Sequence, residues 1–169
     1  MIQITYGQKR LRESHPEYVT GTKLSTPGKT TTLLTIINYD DDALAARGLL
    51  AANPVRSITL EDVIPDTGAT LLCLPKAMTD QLGLRVSHTV LATTATGVSE
   101  ARIFSGAKIV LQNRSTTQDV MELPGGTDPL LGVVPMEALG VQLDLKKQAL
   151  KLLSTDGIDT FIRFTDGGL

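Results

Sequence analysis

The apolar residues of this chain come in short β-branched runs, each stopped by Gly, Pro, Asn or Asp, and that punctuation leaves few folds open. Thr30-Thr31-Thr32-Leu33-Leu34-Thr35-Ile36-Ile37 reads as a strand, and Asn38-Tyr39-Asp40-Asp41-Asp42 after it reads as a turn. Residues 55–64 alternate in part, with Ile58 and Leu60 against Thr59 and Glu61, before a sharp loop and the apolar run Leu71-Leu72-Cys73-Leu74, which reads as a buried strand. Two β-rich stretches, 86–94 and 98–111, flank Thr94-Ala95-Thr96-Gly97, where Gly supplies the positive φ of a hairpin turn. Shorter strands are expected at 117–123, 141–145 and 149–153. Pro75 opens a brief helix that runs to Leu82 with Gly83 past its end, and a second brief helix covers 135–139. The pattern predicts a mostly-β domain, a closed or partly open β-barrel with one or two short helices.

At 169 residues the chain fits one domain with an ordinary core. Sixteen Lys and Arg against 18 Asp and Glu leave a net charge of −2, which offers no electrostatic reason for a nucleic-acid or anionic-membrane partner. Aromatics make up only 4% with no Trp, so the core is aliphatic and base-stacking platforms lack material. Cys73 is the single cysteine, which rules out an intramolecular disulfide. Met1-Ile2-Gln3-Ile4-Thr5-Tyr6 alternates like a strand and lacks the basic flank and apolar run of a signal peptide, and no stretch is long and apolar enough for a membrane span. The expectation is a soluble, cytoplasmic protein.

Three regions are expected: an N-terminal strand and basic arm at 1–29, a main domain at 30–153, and a tail at 154–169. Residues 7–29 mix Gly and Pro with Lys9, Arg10, Arg12, Lys23 and Lys29 against Glu13 and Glu17, which suits a solvated arm. The tail carries the apolar residues Ile158, Phe161, Ile162 and Phe164. Gly28-Lys29-Thr30 ends like a phosphate-binding loop, yet position 23 is Lys where that loop needs Gly, and a strand follows in place of a helix. His15 and His88 have no ligand partners at metal spacing, and three consecutive Asp residues lack the alternation that calcium requires. Asn113-Arg114-Ser115 reads as a polar turn.

Val63-Ile64-Pro65-Asp66-Thr67-Gly68-Ala69-Thr70 is the segment that points to chemistry, because it sets a carboxylate at the end of an apolar strand beside a Gly that lets backbone come close. On its own an Asp-Thr-Gly is also a common turn. Further along, Leu130-Leu131-Gly132 precedes Val134-Pro135-Met136-Glu137-Ala138-Leu139, two apolar residues and a Gly leading into a short helix.

These two elements in this order, with the apolar strand and Leu82-Gly83-Leu84 between them, make the chain resemble the retropepsin-like aspartic peptidases, the retroviral-type proteases, and in particular their small bacterial branch. The resemblance spans 30–153, with 141–153 as the closing hairpin. It implies an acid-protease barrel and an aspartic endopeptidase that uses no cofactor and no metal. Asp66 would be the catalytic carboxylate. Thr67, Gly68, Ala69 and Thr70 would form its loop, supported by Leu130, Leu131 and Gly132, and Ala95, Thr96 and Gly97 would be the flap over a peptide substrate. One chain supplies one such Asp, so the resemblance implies a homodimer with Asp66 meeting its symmetry mate, and the apolar tail at 154–169 is expected to add a strand to that interface. The alternative is a non-catalytic dimeric peptide-binding or scaffolding module on the same fold. Three departures stand out: Pro65 precedes the Asp and removes a ladder donor, Val133 follows Gly132 where retroviral enzymes carry an Arg, and the flap tip has one Gly and no aromatic.

Overall fold

The computed structural model describes residues 17–26, 29–50, 54–124 and 126–154. Ten strands and three short helices lie within them: β1 (Lys23–Thr26), β2 (Lys29–Asn38), α1 (Tyr39–Ala46), β3 (Ser57–Pro65), β4 (Leu72–Pro75), α2 (Lys76–Leu82), β5 (Arg85–Thr94), β6 (Gly97–Leu111), β7 (Arg114–Leu123), β8 (Leu130–Leu131), α3 (Val133–Ala138), β9 (Val141–Asp144) and β10 (Ala149–Leu152). The mostly-β reading holds. Eight strands form one sheet in the order β1-β2-β3-β8-β4-β7-β6-β5, and β2 pairs with β6 as well, which closes β2, β3, β8, β4, β7 and β6 into a ring. Its interior is aliphatic, with Leu34, Ile36, Leu72, Ile109, Val120 and Leu131 wholly buried. No helix among the described residues is long and apolar enough to cross a membrane.

Two expectations change. The triple Asp is the first turn of α1 and not a loop: the Asn38 side chain accepts from the Asp41 N–H at 3.1 Å, capping the helix, and the acidic residues sit where the helix dipole favours negative charge. Each carboxylate then meets a different cation, Asp40 with Arg85, Asp41 with Arg56 and Asp42 with Lys108. α1 is therefore a third helix where one or two were expected. The solvated arm is also overturned where the structure describes it. Val19 is only 5% exposed within the core and its N–H donates to Leu150 O at 2.8 Å, the Leu152 N–H donates to Glu17 O, and β1 pairs with β2. Packing thus runs across the expected boundary at residue 30. The 1–16 segment and the 155–169 part of the tail, with its proposed interface strand, lie outside the described residues.

Lys29, of the phosphate-loop lookalike, begins β2 and pairs with Asp128 at 2.6 Å. His88 is exposed on β5 beside Ser87.

Candidate active site

Asp66 stands where β3 leaves the sheet, and a very short strand holds it there. β8 runs parallel to β3 (Ile64↔Leu130, Pro65↔Leu131) and antiparallel to β4 (Leu72↔Leu131, Cys73↔Leu130), so it is wedged between the strand entering the Asp66 loop and the strand leaving it. Ile64 N–H donates to Pro129 O at 2.9 Å, and Asp66 N–H to Leu131 O at 2.9 Å. These two bonds show what Pro65 costs. The donors that face β8 belong to the residues on either side of Pro65, so its missing N–H leaves no gap in that ladder.

The loop is then closed from the far side. Val133 N–H donates to Ala69 O at 2.8 Å and Val134 N–H to Thr70 O at 3.0 Å, so the first residues of α3 spend backbone donors that a helix start leaves unsatisfied on the Asp66 loop. This needs a very close approach at Gly132. A Cβ there would lie 2.4 Å from Leu71 O and 2.7 Å from Ala69 O, both backbone, so no side chain fits. Its own φ of −81° is ordinary, and the requirement is space alone.

Within the loop, Gly68 N–H donates to Asp66 Oδ1 at 2.8 Å and Ala69 N–H to Asp66 O at 3.2 Å. Asp66 is half-buried, while Thr67 and Gly68 are exposed. Cys73 lies beneath, wholly buried, and its thiol is pushed up to about 11 by burial and then by the negative field of Asp66. The predicted Asp66, Thr67, Gly68, Ala69 and Thr70 thus come together with Leu130, Leu131 and Gly132. Among the described residues no trio of His, Cys, Asp or Glu gathers as a metal site.

Residues 57–134 match the aspartyl protease family model. That segment opens with β3, contains the Asp66 loop and the β5–β6 hairpin, and ends just past Gly132. The resemblance to retropepsin-like aspartyl proteases therefore stands on the stretch that builds the site. Among solved structures, a retropepsin-like aspartic protease from Rickettsia conorii is 20% identical with a TM-score of 0.47, covering 78% of this chain and 95% of its own. The protease of simian foamy virus (mac) is 24% identical with a TM-score of 0.36, covering 46% of this chain and 80% of its own. No curated protein matches this chain.

Ala95, Thr96 and Gly97, expected as a flap, belong to a different element from the Asp66 loop. Ala95 and Thr96 form the two-residue turn of the β5–β6 hairpin, with Thr94 paired to Gly97 and Gly97 at φ +127°. Thr94 Oγ1 donates to Gly97 O at 2.9 Å, which tightens the turn. From residue 85 to 100 no position is buried.

Sequence reasoning missed a group of residues near this hairpin. Arg102 of β6 binds Glu122 of β7 through both carboxylate oxygens at 2.8–3.1 Å, Thr79 of α2 adds a hydroxyl at 3.1 Å, and the guanidinium lies 5.2 Å from the Phe104 ring centre. The Arg and Glu fall 20 residues apart, on two strands whose register alone brings them together. Arg114, read as part of a turn, instead begins β7 and is buried, donating to Leu139 O, Gly140 O and Leu153 O. It ties the end of α3 to the end of β10, and burial pulls it below the usual arginine range.

Proposed function

We propose that the protein is an aspartic endopeptidase whose catalytic unit is a homodimer, with Asp66 of each chain forming a dyad at the two-fold axis. The observation that carries this reading is the Asp66 loop itself: one half-buried carboxylate, fixed by β8 and α3 through backbone alone, on a chain with no second Asp-Thr-Gly or Asp-Ser-Gly. One carboxylate cannot both accept and hold a proton for this chemistry. Two that face each other share one proton, because like charges at that distance resist double ionisation. The ionised member takes a proton from water while the water oxygen attacks the peptide carbonyl. The protonated member hydrogen-bonds to the oxyanion that forms. Collapse of the tetrahedral intermediate breaks the C–N bond as the amine nitrogen receives a proton from the dyad.

The chain's own residues have defined parts in this. Gly68 N–H occupies Oδ1 of Asp66, leaving the second oxygen for the water. Exposed Thr67 is the residue next to the axis and would bond across it. Ala95, Thr96 and Gly97 would close over an extended peptide, which pairs with the hairpin edge by strand addition. The test is a mass-spectrometric screen of peptide cleavage, with wild type beside Asp66→Asn. Cleavage by wild type alone, with both proteins equally folded, is the expected result. Cleavage by neither would leave the fold as a binding module, and cleavage by both would remove Asp66 from the mechanism.

A further inference from the structure

β5 ends the eight-stranded sheet, and among the described residues no strand pairs with its outer edge. An open edge presents a row of backbone donors and acceptors, and proteins ordinarily guard one with charges, Pro or a bulge. Here the guard is thin. From Val86 to Ser99 the chain carries no Asp, Glu, Lys, Arg or Pro, although charged residues make up 20% of the whole. The one bulge of β5 lies near its start, between Val86 and His88. Beyond it the strand pairs regularly with β6 up to Thr94, is rich in Thr and Val, and leaves Leu91 76% exposed.

The pairing with β6 decides which backbone groups point outward. Thr94 and Gly97 flank a two-residue turn and bond to each other, and the ladder alternates from there, so His88, Val90 and Ala92 also spend their backbone on β6. Thr89, Leu91 and Thr93 turn theirs to the open edge. Their side chains are exposed too, while Val90, Ala92 and Thr94 are half-buried. Around Leu91 the sequence Thr89-Val90-Leu91-Ala92-Thr93 is nearly a palindrome. Two copies running antiparallel about a two-fold axis at Leu91 set Leu91 against Leu91, Thr89 against Thr93 and Val90 against Ala92, with each outward donor facing an acceptor. Thr meets Thr, and a larger side chain meets a smaller one. A slip of one residue would set the outward donors against groups already spent on β6. Glu100, beside Leu91 on β6, is the nearest carboxylate. Its two copies would stand three strand spacings apart, roughly 14 Å, past the screening length at physiological salt.

We infer that the open edge of β5 is a self-association surface that joins two copies of this chain antiparallel about Leu91. The occupant is a second copy because the near-palindrome matches the strand to itself, a match that an unrelated strand does not share. The Asp66 loop, β8 and α3 lie in other elements, so this contact is separate from the dyad axis and would join one such homodimer to the next. A pair formed here also takes the edge that an extended peptide would join, so pairing and substrate exclude one another. That consequence rests on the peptidase reading, and the pairing itself does not.

Cysteines placed along β5 read the register. Full-length Thr89→Cys, Leu91→Cys and Thr93→Cys proteins are oxidised with copper phenanthroline, and disulfide-linked pairs are quantified against time; Cys73 is wholly buried and does not compete. Opposed residues of a hydrogen-bonded pair lie about 5.5 Å apart between Cα atoms, within disulfide reach. Leu91→Cys should therefore link at least about tenfold faster than the other two, whose counterparts stand four residues out of register, roughly 13 Å away. In sedimentation velocity, wild type should gain mass with rising concentration. Leu91→Lys, which sets two cations face to face, and Leu91→Pro, which removes only an outward donor, should each push that gain to at least about tenfold higher concentration. Leu91 is exposed and spends no backbone donor on β6, so both variants keep the hairpin. Equal linking rates at the three positions, or a mass gain unchanged by both Leu91 variants, would overturn the pairing. The linked Leu91→Cys protein should lose peptide cleavage and regain it on reduction with dithiothreitol, and linked protein that cleaves as fast as reduced protein would overturn the exclusion. Preferential linking at Leu91 with no cleavage by wild type leaves the pairing standing and removes the peptidase reading. Cleavage by wild type without preferential linking does the reverse.

Discussion

Gly132 and Gly97 show two opposite uses of the same residue. At Gly132 the backbone angle suits any residue, but three backbone atoms crowd the place of a Cβ at 2.4 to 2.7 Å. At Gly97 there is nothing within 4 Å, and the demand is the angle, φ +127°. The first belongs to a floor in which β3, β8, β4 and α3 fix one another through backbone hydrogen bonds. The second belongs to a hairpin whose outer half touches little besides itself, with Leu91 76% and Val98 66% exposed. A floor of that kind holds a carboxylate in one place, and a hairpin of that kind can move at small cost.

The largest contrast should be chemical access. Cys73, wholly buried with its thiol at about 11, should resist iodoacetamide at pH 8, whereas the exposed thiol of an Ala95→Cys variant should react more than about a hundredfold faster. Peptide mapping of the same sample gives both rates. Comparable rates would mean that the floor opens as readily as the hairpin.

Next in size are the two glycines. Gly132→Ala should cost about 3 kcal/mol in urea unfolding, because the neighbours it meets are backbone and cannot turn aside. Gly97→Ala should cost about 1 kcal/mol, the strain of a left-handed angle with no clash. Equal costs would erase the distinction between a crowded glycine and a turning one.

The base of the hairpin is where the two regions meet, and α1 clamps it through Asp40 to Arg85 on β5 and Asp42 to Lys108 on β6. Between them Asp41, hydrogen-bonded by Arg56, is held below the ordinary carboxylate range. Its contribution is therefore fully present above the unfolded value near pH 4 and is lost as pH falls through the folded value. Asp41→Asn should lower Tm at pH 7, and the gap to wild type should narrow below about pH 4 and close in stronger acid. A gap that does not narrow as pH falls below about 4 would show that the ion pair is not its source.

The smallest effect concerns Ala69, which offers no side-chain donor beside Asp66. Ala69→Ser adds one and should move the profile of kcat/KM against pH toward lower pH without altering dimerisation. An unshifted profile would mean that the new hydroxyl does not reach the carboxylate.

What could be read in advance divides along the same line. The Asp66 loop and the Leu130-Leu131-Gly132 element were legible because each packs a Gly and its apolar neighbours into a few consecutive residues, and the strand runs were legible from β-branched alternation. α1 was not, since Asn38 and three Asp residues favour a turn as much as a capped helix start, and the choice rests on Arg56, Arg85 and Lys108 from elsewhere in the chain. The docking of Val19 depends on Leu150, 131 residues later. The effect of Pro65 depends on which edge of β3 faces β8, a matter of pairing that composition does not carry.

The central claim is that Asp66 acts as one half of a dyad shared between two chains. Wild type and Asp66→Asn, co-refolded in varied proportions at constant total concentration, test it through peptide cleavage rate. If both carboxylates are needed, activity falls as the square of the wild-type fraction, to about a quarter in an equal mixture. A linear decline, with about half the activity retained in that mixture, would mean that each chain works alone.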